Sequence, residues 1–145
     1  MGTWDVGPFD NDTAADFGGH LDQAPEGERG AMVRDALVRA LDDRGDLDQD
    51  IAVVAIAAAA LVAGQCPQGE PVTTAYGPAQ PVPRLPDDLR ALAVQVLDRV
   101  VAEPSELMEL WDETDDAGAW RESLVRLRTP LLPPVLQEPI PLTRS

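Results

Sequence analysis

A chain of 145 residues that is 44% hydrophobic is long enough for one domain with a single core, and too apolar for global disorder. Twenty-six acidic residues oppose eleven basic ones, all of them arginine, for a net charge of -15; such a field repels nucleic-acid phosphates and anionic lipids and favours a cationic protein surface or ligand. One cysteine, Cys66, excludes an internal disulfide, and the chain opens without a basic stretch, apolar core and cleavage site, so a cytoplasmic location is expected.

Residues 1–17 place Trp4, Phe9, a Gly7-Pro8 turn and a polar cap at the very start, which predicts an ordered N-terminal loop docked on the core. A first helix begins at the Asn11/Asp12 boundary, where a short polar side chain accepts from free N–H groups of the opening turn. Ala14, Phe17 and Leu21 follow on one face. Gly18 and Gly19 weaken this helix by about 1 kcal/mol each relative to alanine, so it should be short and depend on packing. A second helix is predicted over about 26–41, with Val33, Leu37, Ala40 and Leu41 as its apolar face and Met32 and Ala36 widening it. Gly45 stands where a left-handed stop is usual, and Arg39 and Arg44 suit the negative end of the helix dipole.

The third helix, about 49–63 with Asp48 as its cap, is apolar all round and carries alanine at 52, 55, 57, 58, 59, 60 and 63. That pattern marks the central helix of the domain. The apolar run of 51–64 falls short of the ~20 residues a bilayer requires, so no membrane span is expected. Pro67, Pro71, Pro78, Pro81, Pro83 and Pro86 then prevent regular helix and predict a proline-rich loop at 65–85. In the fourth helix Leu85, Leu89, Leu92, Ala93, Val96, Leu97, Val100 and Val101 recur at helical spacing; Pro86 suits its first turn, and Asp87 and Asp88 its positive end. Pro104 breaks the chain before a short turn capped by Ser105 and carrying Leu107, Leu110 and Trp111. A last helix follows Asp115/Asp116 with Trp120, Leu124, Leu127 and Leu131 on one face, and prolines from 130 to 141 predict an extended strap. The expected fold is therefore all-α: a compact bundle of five or six helices around the alanine-rich one, with 1–132 a single domain and 133–145 an extended C-terminal tail.

The opening Gly2-Thr3-Trp4-Asp5-Val6-Gly7-Pro8-Phe9-Asp10-Asn11-Asp12-Thr13-Ala14-Ala15-Asp16-Phe17 resembles the signature of a small bacterial family known only as domain of unknown function number 4259. Ser105-Glu106-Leu107-Met108-Glu109-Leu110-Trp111-Asp112-Glu113, followed by Trp120 and the Leu124/Leu127 spacing, is a second match, and Asp46-Leu47-Asp48 a weaker third. The resemblance spans roughly residues 1–132. It implies a helical bacterial domain and no assigned activity. Asp5 departs from the glycine of many relatives, and the proline-rich tail is not part of the shared pattern.

Few residues offer chemistry. Asp46, Asp48 and Asp50 match positions 1, 3 and 5 of a calcium loop, but Ile51 replaces the glycine at 6 and Ala57 the glutamate at 12, so helix capping explains them better. One histidine, His20, and one cysteine leave no zinc set, and neither stands beside a partner for nucleophilic catalysis. No phosphate-cradling glycine pattern occurs, so no cofactor is expected. Trp4, Phe9, Phe17, Trp111 and Trp120 are expected to join the N-terminal loop to the last helices, with Trp111 in the core. The preferred functional reading is a small acidic, non-enzymatic protein-interaction or inhibitor-like module for a basic protein, binding through Trp4, Asp10, Asp12, Asp16, Asp112 and Glu113. The alternative is a divalent-metal-binding protein or metal-dependent enzyme in which Asp10, Asp12 and Asp16 converge with Asp112 or Glu113. Charge alone decides neither, since it also serves solubility.

Overall fold

The computed structural model describes residues 12–42, 45, 47–66 and 84–132. Among them are six helices and no strand: α1 (Asp12–Gln23), α2 (Glu26–Asp42), α3 (Gln49–Gly64), α4 (Asp88–Val100), α5 (Glu106–Asp112) and α6 (Ala117–Leu131). The fold is all-α, and α3 is its axis. It is buried continuously from Ala55 to Ala63, and α1, α2, α4, α5 and α6 all pack against it. Alanine makes this possible, because the distance between helix axes is set by the side chains at the contact. The other helices present the apolar stripes their spacing predicts: Ala14, Phe17 and Leu21 on α1; Val33, Ala36, Leu37 and Ala40 on α2; Leu89, Ala93, Val96, Leu97 and Val100 on α4. The predicted N-terminal loop, most of the 65–85 loop and the strap beyond 132 lie outside the described residues.

Two helix starts are built as one unit. Asp48 takes an extended conformation, and its Oδ2 accepts from the backbone N–H groups of Asp50 (2.9 Å) and Ile51 (3.1 Å). Ser105, fully buried, caps α5 by accepting from Met108 N–H at 3.4 Å. Between the caps, Leu47 N–H donates to the Pro104 carbonyl (3.1 Å) and Glu106 N–H donates to the Leu47 carbonyl (2.9 Å), a short parallel bridge. Glu106 Oε1 then accepts from Gln49 N–H at 2.8 Å. A side chain of α5 thus satisfies an N–H of α3 that has no partner within its own helix. Leu47-Asp48 and Ser105-Glu106, far apart in sequence, meet here.

Arginines tie the outer helices together. Arg34 pairs with Asp88 at 3.0 Å and Arg128 with Asp98 at 2.9 Å. Arg29 Nε donates to the Leu21 carbonyl at 2.9 Å, and Arg99 Nη2 to the Gly45 carbonyl at 2.8 Å. The ion pairs are solvent-exposed, worth about 1 kcal/mol or less each, so they align helices that the core holds.

Four local expectations change. Gly45 lies beyond α2 but has no positive φ, so the chain turns there without a left-handed stop. The fourth helix starts at Asp88 rather than with Pro86 in its first turn, and Leu85 is buried ahead of it, its N–H bound to Gln65 Oε1 at 2.8 Å. Leu110 is exposed while its neighbours Leu107, Met108 and Trp111 are buried, because a seven-residue helix has only one face to give the core. Pro130 belongs to the last turn of α6 instead of ending it; Arg90 Nη2 donates to the carbonyls of Pro130 and Leu132, both at 3.1 Å. A cation at that end suits the helix dipole.

The glycine pair does not interrupt α1. A Cβ on Gly19 would meet nothing within 4 Å. Gly19→Ala is therefore expected to stabilise the protein by about 0.5–1 kcal/mol, since it only removes backbone freedom from the unfolded chain. A raised urea midpoint at unchanged m-value is the readout.

Candidate functional site

A groove of about 640 Å³ runs along the outer face where α1, α2 and the first turns of α3 meet. Its floor is apolar: Phe17 from α1, Met32 and Ala36 from α2, Ile51 and Val54 from α3. Asp35, Arg39, Asp48 and Asp50 supply its polar groups, three carboxylates against one guanidinium. The α2 lining, Met32, Asp35, Ala36 and Arg39, follows helical spacing of three and four, so these side chains share one face. Capping brings Asp48 to the groove: holding the start of α3 leaves Asp50 and Ile51 in the opening turn, beside the last turns of α2. Arg39 makes no ion pair with another described residue, and the described lining holds more carboxylates than guanidinium groups.

The residues singled out in the sequence are placed differently. Asp12 and Asp16 are exposed on α1. Asp112 ends α5, and its two carboxylate oxygens accept from Arg121 Nη2 at 2.9 and 3.2 Å. Glu113 is the exposed C-cap of α5. Both α1 and α5 pack on α3 without extensive contact of their own. Trp4 and Asp10 lie outside the described residues. Among the described residues no group of three or more His, Cys, Asp or Glu is arranged to hold a metal ion. In the sequence Asp35 carries no signal of a site, Arg39 reads as a partner of the helix dipole, and Asp48 reads as a cap that also matches a calcium-loop position. The signal was there in Met32, which widens the apolar face of α2 and is only partly buried.

The Domain of unknown function (DUF4259) family model matches residues 2–123. The chain belongs to the DUF4259 family. No curated protein and no solved structure matches it. In this DUF4259 protein the matched region contains the whole groove and both capped helix starts. No helix among its described residues is long and apolar enough to cross a membrane.

Among the described residues, Cys66, Ser105 and Ser123 are buried, and each makes a hydrogen bond within the fold. Cys66 is buried, its Sγ 3.5 Å from the Val62 carbonyl. Burial pushes its thiol pKa up, the Arg90 charge pulls the other way, and Asp87 adds to the rise. The reactive thiolate is correspondingly disfavoured. Ser123 Oγ donates to the Trp120 carbonyl at 2.6 Å, and Ser105 caps α5. His20 is exposed in the last turn of α1.

Proposed function

We propose that this DUF4259 protein is a small, acidic, non-enzymatic interaction module that binds a basic protein in the cytoplasm. In this reading residues 1–132 form the working domain and 133–145 an appended tail. The open groove carries the reading: an apolar floor with a mainly acidic rim, on a chain of net charge -15, matches a partner that offers apolar anchors flanked by cations. Asp12, Asp16, Asp112 and Glu113 belong to the surrounding acidic surface, which raises the encounter rate with such a partner, and Trp4 and Asp10 are assigned to its extension. Arg34, Arg121 and Arg128 each pair with one aspartate, Asp112 among them, and the net charge of -15 stands after these pairs are counted.

Affinity capture with the full chain tests this, comparing Asp12→Asn/Asp16→Asn and Asp35→Asn/Asp50→Asn variants at two salt concentrations. A partner of high isoelectric point, whose binding weakens about tenfold or more between low and high salt and in the second variant, is the expected result. Salt-independent capture unaffected by either variant would count against the acidic surface. Melting curves with calcium, magnesium or manganese test the metal reading: a saturable, ion-selective rise in stability would replace the present proposal.

A further inference from the structure

We propose that the α1–α2–α3 groove is the seat of one basic amphipathic helix of the partner protein, its apolar stripe on Met32, Ala36, Ile51 and Val54 and its cations toward Asp35, Asp48 and Asp50. This rests on the interaction-module reading and narrows it to a site and an occupant. Residues of α2 at spacings of three and four line the trough together with Ile51 and Val54, three apart on α3. A helix laid between them can insert residues at i, i+3, i+4 and i+7, the usual helix-in-groove mode. A peptide added as a β-strand would instead need an unpaired strand edge, and no strand exists among the described residues.

Charge and shape sort the remaining occupants. A second copy of this chain would bring another -15 to the same place, and like-charge juxtaposition opposes that pairing. A small cation could meet the carboxylates, but an open trough leaves most of a small ligand in water, whereas ligand sites bury roughly 70–90% of theirs. Three carboxylates beside five apolar lining residues fit a surface that is at once greasy and cationic. A basic amphipathic helix has both properties along one line.

The test uses the full chain and a fluorescent leucine/lysine peptide of about 18 residues, patterned to be apolar on one helical face. Its control has the same composition in an order that breaks the stripe. Asp35→Lys alters the rim charge, Met32→Gln removes floor apolarity at constant charge, and Glu122→Lys on α6 makes the same charge change away from the groove; melting curves verify that each variant folds. The patterned peptide should bind at least about tenfold more tightly than its control, a difference of about 1.4 kcal/mol. Asp35→Lys should weaken it about tenfold and Met32→Gln several-fold, with Glu122→Lys within about twofold. Equal binding of both peptides, or equal loss with Glu122→Lys and Asp35→Lys, overturns the groove while leaving a general acidic interaction surface standing. No peptide binding, beside continued salt-sensitive capture of a basic protein, likewise overturns this occupant alone. A peptide that binds but is displaced by a small polyamine at equal concentration identifies a small-cation site and overturns the helix.

Discussion

Trp120→Ala is expected to lower the unfolding free energy by about 3–5 kcal/mol, read as a reduced urea midpoint. The indole is buried on α6 and stacks on Trp111 of α5, with ring centroids 5.8 Å apart and planes 11° from parallel. Aromatic side chains bury about 150–250 Å² each, which at ~25 cal/mol/Å² amounts to about 4–6 kcal/mol before relaxation. Deletion also strips one face of Trp111, the largest anchor of a helix only seven residues long. A helix that short has little stability of its own, so α5 depends on this pair and on its contacts with α3. Arg121, whose guanidinium carbon lies 6.0 Å from the Trp120 ring centroid while it pairs with Asp112, would lose one of its two contacts. Trp120→Phe should cost clearly less, because a planar apolar ring remains. A loss below about 1 kcal/mol for the alanine variant would show that the stacked pair does not anchor α5. Since small domains have about 5–15 kcal/mol in total, the measurement belongs at low temperature, where the variant stays folded.

The second large effect runs in the opposite steric direction. Ala59→Leu, at the fully buried middle of α3, is expected to cost about 1–3 kcal/mol although it adds apolar surface. Leucine is nearly as good a helix former as alanine, so the loss cannot come from propensity. It comes from the neighbours: helices surround α3 at distances that a methyl group permits, and three more carbons force them apart or push side chains off their rotamers. Ala91→Leu on the exposed side of α4 is the control and should change stability by no more than about 0.5 kcal/mol. If both variants behaved alike, the alanines of α3 would be there for some reason other than close packing.

Most of the helices could be read residue by residue because their information is local. The spacing of Val33, Leu37 and Ala40, or of Leu89, Ala93, Val96 and Val100, states which face of a helix will leave water, and all of these are buried. Asp48 was recognisable as a cap because capping involves only its next few residues, and its oxygen does accept from Asp50 and Ile51. Local pattern was less informative where more than one partner competes for the backbone. Gly45 has the composition of a left-handed stop, yet its carbonyl is held by Arg99 without a positive φ. Pro130 looks like a terminator, yet the carbonyls around it are held by Arg90 from another helix.

By itself, then, the sequence determined the helical class, the central place of the alanine-rich segment, the apolar faces and the acidic character, since these follow from composition and from spacings within one or two turns. Only the tertiary structure decided which faces meet. Nothing local pairs Leu47 with Ser105, sends Glu106 to the N–H of Gln49, or gives Asp112 to Arg121. Periodicity says that a face is buried and is silent on the helix that covers it, because that choice depends on how five helices close around α3. The groove belongs to the same category. Its floor comes from three helices, and among the described residues Met32 on the shoulder of α2 is only partly buried against the core.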